Sequence, residues 1–145
     1  MKRNMKLLIV LMIGALPFSK SFSQSTKQII KVTNLEDVKG TLYVGWYDAP
    51  TDFRMNDKAI YRKELDVNGV EEVTLQFENI PAGDYAIAVF LDENDNYELD
   101  RNLLGLPTEK YGFSNNILPA FRAATFEESS FFVSKQESIV SINLK

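Results

Sequence analysis

Asp84-Tyr85-Ala86-Ile87-Ala88-Val89-Phe90-Leu91 decides the fold. After Asp84 the run is apolar at every position, with none of the in-out alternation of a half-solvated strand, so it reads as a strand covered on both faces. That makes it the central strand of a sheet. It opens after Ile80-Pro81-Ala82-Gly83, which reads as a β-turn with φ fixed by Pro81 and freedom at Gly83. It ends in Asp92-Glu93-Asn94-Asp95-Asn96-Tyr97-Glu98-Leu99-Asp100, a cluster of oxygen-bearing side chains.

Upstream lie short β-branched and aromatic runs separated by Gly, Pro, Asn and Asp, the pattern of an all-β domain. One run places Val73, Leu75 and Phe77 inward and Glu72, Thr74, Gln76 and Glu78 outward. Asn68-Gly69, where both residues tolerate positive φ, predicts a hairpin between that strand and Tyr61 to Val67, with Tyr61, Leu65 and Val67 inward. Pro50 breaks the ladder, and Phe53 to Ile60 reads as a loop or one helical turn. Thr41 to Asp48 presents Leu42, Val44 and Trp46 on one face, and it is expected to form a hairpin with Ile29 to Leu35. Downstream, Leu103 to Pro107 is a short apolar piece and Thr108 to Glu128 a long irregular loop. Ser129 to Ser134 and Glu137 to Leu144 close the chain as strands, with Val140, Ile142 and Leu144 on one face. The predicted fold is a single antiparallel β-sandwich of about seven strands with one long irregular loop.

The N-terminus reads as an export signal. Lys2, Arg3 and Lys6 precede an apolar centre from Leu7 to Leu16, and Ser21-Phe22-Ser23 offers a small-x-small cleavage site. Residues 1–23 are therefore assigned to a signal peptide and 24–145 to one domain, placing the protein in a periplasm or outside the cell. The apolar run falls short of the roughly 20 residues of a bilayer-spanning helix, and no membrane span is expected. Removing the signal leaves 12 basic against 20 acidic residues, which argues against nucleic acid and anionic membrane surfaces as partners. The chain has no cysteine and no histidine, so disulfides and thiolate chemistry are excluded, and zinc, copper and Ser-His or Cys-His catalysis are not expected. Any enzyme here would run on carboxylates. No catalytic residue is assigned, and the expectation is a non-enzymatic protein.

The acidic loop carries the one chemical suggestion. Asp92, Asn94, Asn96, Glu98 and Asp100 occupy the first, third, fifth, seventh and ninth positions of a calcium-loop template, in which a short segment wraps a hard cation with oxygens. Tyr97 stands where that template has glycine, and Leu103 where it has a bidentate carboxylate, so Asn102 or Asn115 would have to add an oxygen. The competing reading is a polar turn whose Asp and Asn residues bond their own backbone. If calcium binds, an affinity of roughly 10⁻⁴ to 10⁻³ M is expected for an extracellular site. A second candidate is the aromatic loop, where Tyr111, Phe113, Asn115 and Phe121 could line a ligand pocket or anchor the loop to the core. Paired-carboxylate glycoside cleavage is a remote alternative.

Several stretches in order carry a family resemblance: Ile80 to Phe90, the Asp92-x-Asn94-x-Asn96-x-x-Leu99-Asp100 loop, Gly105-Leu106-Pro107-Thr108-Glu109, Tyr111 to Asn116, and Phe126-Glu127. Together they resemble the bacterial domain of unknown function 2141 family. This sequence has Asp95 and Tyr97 where that family typically carries glycines. The resemblance implies an exported β-domain and brings no activity or catalytic residues. The Pro-Ala-Gly-Asp-Tyr turn and its strand also look like those of transthyretin-like and carboxypeptidase-regulatory β-sandwiches, with an immunoglobulin-like arrangement as the other form of the same architecture. The expected function is an exported binding or structural β-domain, with or without calcium. The alternatives are a small-molecule or glycan binder or weak hydrolase built on the aromatic loop, and an assembly module pairing through an exposed edge strand.

Overall fold

The computed structural model describes residues 27–145. The assigned signal peptide lies outside the described residues. Eight strands form two sheets: β1 (Lys27–Thr33), β2 (Lys39–Tyr47), β3 (Tyr61–Asn68), β4 (Glu72–Glu78), β5 (Gly83–Asp92), β6 (Tyr111–Phe113), β7 (Phe131–Val133) and β8 (Ser138–Asn143). One four-residue helix, α1 (Phe126–Ser129), precedes β7. The first sheet runs β4-β1-β8 and the second β3-β2-β5-β6, with β7 also paired to β5.

β5 is central, as its composition predicts. One edge takes β2 along Ala86 to Asp92, and the other is shared by β7 at Gly83 to Tyr85 and β6 at Ala88 to Phe90. The register sets Trp46 opposite Ile87, Val44 opposite Val89 and Leu42 opposite Leu91. These side chains meet Ile30 and Val32 of β1, Leu75 and Phe77 of β4, and Ile142 of β8 in one buried cluster drawn from both sheets. Trp46 sits at its centre, with Phe77, Tyr85 and Phe131 ringed around it at 5.4–5.8 Å.

Several expectations are corrected. β1 and β2 form no hairpin: β1 pairs with β4 and β8, while β2 pairs with β3 and β5. Asn68-Gly69 does turn the chain, with Gly69 at φ +60°, but β3 and β4 fall in different sheets. Ile80 to Gly83 likewise passes from one sheet to the other, with Ile80 buried on the way. All three links cross between sheets, because strands that are apolar on one face bury it best against the opposite sheet. The pairing is also not wholly antiparallel, since β1 and β8 run parallel. Eight strands replace about seven because the long loop contains β6, while β7 starts at Phe131 after α1. Leu65, expected inward, is exposed, whereas Val67 is buried as expected.

The second face of the five-stranded sheet is also covered in part. Alternation puts Tyr43, Gly45 and Tyr47 of β2 and Ala86, Ala88 and Phe90 of β5 on the side away from the shared core. Tyr47, Ala86 and Phe113 there join Phe53 and Ala124 in a second buried cluster, with Phe126 packed against it. The segment after β6 is therefore fastened to the sheet, and what it leaves uncovered forms the cavity described next.

Candidate functional site

The acidic loop is a long insertion between two paired strands. Leu91 N–H donates to Lys110 C=O at 2.8 Å, which brings Glu109 beside the end of β5. Asp92 is fully buried, and its carboxylate accepts backbone N–H bonds from Asn94 (3.3 Å), Asn96 (3.2 Å) and Tyr97 (2.7 Å). Glu109, 8% exposed, closes the loop from the other side. Its Oε1 accepts from Glu93 N–H at 2.8 Å and its Oε2 from Asp100 N–H at 2.9 Å. Two carboxylates thus gather five backbone donors that a seventeen-residue excursion, 93–109, would otherwise leave unpaired.

Of the five predicted metal ligands, the structure brings Asn94, Asn96 and Asp100 into direct contact. Asn94 Nδ2 donates to Asp100 Oδ2 at 2.7 Å and Asn96 Nδ2 to Asp100 Oδ1 at 2.8 Å. The Oδ1 atoms of Asn94 and Asn96 accept from Asn96 N–H and Glu98 N–H, the Asx-turn pattern of the polar-turn reading. Glu98 is exposed and lines the neighbouring cavity. Among the described residues no three acidic side chains stand together as a metal-holding group. Asn102 is turned to another task, its Oδ1 accepting from Leu104 and Leu106 N–H at the tip of a small turn. Asn115 stands apart, donating to Glu128 and Ser130 C=O to hold α1. Sequence reasoning missed Glu109 as a partner of the loop, because its approach depends on the β5–β6 pairing.

Asp95 and Tyr97 have φ of 60° and 66°, left-handed backbone that favours glycine. Both are positions where the resembled family typically carries glycine.

The cavity lies on the outer face of the five-stranded sheet and has a volume of about 590 Å³. Its floor is set by register. Gly45 pairs with Ala88 at the centre, and Tyr43, Phe90 and Tyr111 rise on one side and Tyr47 and Phe113 on the other. Tyr47 and Ala59 close over Gly45, and the open depression lies beside them, along Ala88 and among the aromatic rings. Tyr43 and Phe90 stack at 4.9 Å with planes 11° apart, and Tyr97 meets Tyr43 edge-on at 6.2 Å, joining the acidic loop to the floor. Burial, aided by Asp57, pushes the Tyr47 phenol up to about 12, so it stays a neutral hydroxyl.

Three segments build the walls. Phe53, wedged between Tyr47, Phe113 and Phe126 at 5.5–5.9 Å, anchors the first, which carries Arg54 and Asp57 to the rim. The acidic loop and its tip supply Arg101, Leu104 and Leu106, and the segment after β6 supplies Phe121 and Arg122. That last wall is held by α1. Thr125 and Glu128 exchange capping bonds, and Glu128 receives two bonds of 2.7 Å from Arg122. Arg122 and the Thr125 N–H hold the Glu128 carboxyl down to about 2. Of the predicted aromatic loop, Tyr111, Phe113 and Phe121 line the cavity, with Phe113 also buried as an anchor; Asn115 lies outside the lining.

The family described as "Uncharacterized protein conserved in bacteria (DUF2141)" matches residues 30–141, from β1 into β8. The chain belongs to that family. The DUF2141 match spans both sheets, the acidic loop and every cavity wall. No curated protein and no solved structure matches the chain. Among the described residues no helix is long and apolar enough to cross a membrane.

Proposed function

We propose that this DUF2141 chain is an exported, non-enzymatic binding domain: a β-sandwich that holds a small molecule on the outer face of its five-stranded sheet. The observation that carries the reading is the depression beside Ala88 and Phe90, ringed by aromatic residues and walled by three segments fastened through buried contacts. A volume near 590 Å³ falls within the range of small-molecule sites. The walls are held by side-chain bonds before any ligand arrives, which lowers the ordering cost of binding. The test is fluorescence titration of the full chain with N-phenyl-1-naphthylamine, an uncharged dye that brightens in apolar surroundings. The native chain is expected to bind saturably, and Ala88→Leu, which fills the floor, to lose binding while keeping its circular dichroism spectrum. Equal binding by both proteins would contradict the assignment.

A second reading adds calcium at Asp92, Asn94, Asn96, Glu98 and Asp100. It is motivated by the meeting of the Asn94, Asn96 and Asp100 side chains at one point of the loop. The donor set is oxygen only, as a hard cation requires. Binding would exchange the two amide contacts to Asp100 for Asn94 and Asn96 Oδ1 on the ion, so the loop's role becomes a rigid wall for the cavity. Calcium at millimolar concentration is expected to raise the melting temperature by mass action. Calorimetry with no heat and no shift in melting would remove the ion.

A further inference from the structure

Every arginine among the described residues, Arg54, Arg62, Arg101 and Arg122, lines the cavity, and no lysine does. The lysines are spread over the rest of the surface. This segregation occurs in a chain with an excess of acidic residues, so the cavity is a local reversal of charge. Arg122 is held by Glu128, and Arg101 reaches the Gly105 carbonyl at 3.3 Å. Arg54 and Arg62 form no ion pair among the described residues. Asp57 and Glu98 also reach the lining, leaving guanidinium groups in the majority. Beside them stand Leu104, 83% exposed, and Phe121, 96% exposed, apolar side chains that solvate poorly without a partner.

We infer that the ligand is an organic anion: an apolar, preferably flat body seated beside Ala88 and Phe90 among the aromatic rings, with a carboxylate, sulfonate or phosphate head turned to Arg54 and Arg62. Guanidinium fits the task better than ammonium. Its planar fork pairs two oxygens of an oxyanion at once, it stacks on aromatic faces, and it is less strongly hydrated. The inference rests on the cavity reading above and adds the chemical class of what fills it.

Two dyes of one skeleton separate the two claims. 8-Anilinonaphthalene-1-sulfonate is N-phenyl-1-naphthylamine with a sulfonate added. The full chain is expected to bind the sulfonate at least about tenfold more tightly, the effect of one charge-assisted contact. The double variant Arg54→Gln/Arg62→Gln should lose that preference while still binding the neutral dye, which also shows that the variant is folded. Lys135→Gln, a charge removed outside the cavity, should leave the preference intact. Equal affinity of the native chain for both dyes, or a preference that survives the double variant or falls equally in Lys135→Gln, would overturn the anion assignment and leave the cavity standing. Failure of both dyes to bind would overturn the cavity reading and this inference with it.

Discussion

At the scale of single residues, Asp92 is the buried charge that the acidic loop winds around. It takes three backbone donors, of which only Asn96 N–H shares a second acceptor, Asn94 Oδ1, and the group is fully out of solvent. Asn at this position keeps one acceptor oxygen and turns an NH₂ toward N–H groups. Asp92→Asn is therefore expected to cost about 1.5–3 kcal/mol, the range for hydrogen bonds to a charged group. Urea denaturation measures it, and a loss below about 0.5 kcal/mol, the scatter of neutral surface changes, would contradict the role. The Arg122–Glu128 pair makes a pH-dependent contribution of known sign. The folded carboxyl titrates at about 2, below its ordinary 4.5, so the pair's contribution is complete above about 4.5 and disappears as pH falls through about 2. Carboxyl-carbon NMR should show the Glu128 transition move up toward 4.5 in Arg122→Gln; an unmoved transition would show that Arg122 is not its cause.

At the scale of elements, glycine lets the backbones of β2 and β5 approach closely within their sheet. Gly40 has φ +149°, and a Cβ there would lie 2.2 Å from the Asp92 carbonyl oxygen at the mouth of the acidic loop. Gly40→Ala is expected to destabilise by about 1–3 kcal/mol through backbone strain, read as a lower denaturation midpoint with an unchanged slope. No change would show that β2 and β5 have slack there. What could be read from residue order follows the same division. β5 was legible because seven apolar residues in succession admit no solvated face, and Leu42, Val44 and Trp46 because strict alternation does. The sheet assignment was not. Asn68-Gly69 specifies a local turn, and the partner of each flanking strand depends on which apolar faces meet across the core. The cavity was half legible: Tyr111, Phe113 and Phe121 stood out by composition, whereas Gly45 opposite Ala88 appears only once the β2–β5 register is known. The four arginines are spread from 54 to 122 and carry no spacing signal.

At the scale of the whole molecule, the two faces of one sheet have different tasks. The inner face joins the other sheet in a shared apolar core; the outer face is closed at one end by Phe53, Phe113 and Phe126 and left open beside Ala88 and Phe90. β5 links the two, with Ile87 and Val89 in the core and Ala88 and Phe90 on the cavity side. Loss of stability in the core should therefore weaken binding, whereas filling the cavity should leave folding intact. The most direct test of a binding face beside Ala88 and Phe90 is to map N-phenyl-1-naphthylamine onto the chain by amide NMR. The predicted result is saturable shifts concentrated at Tyr43, Gly45, Ala88 and Tyr111. Shifts centred instead on the exposed apolar side chains Phe132 and Ile139, or no shifts at saturating dye, would contradict the account.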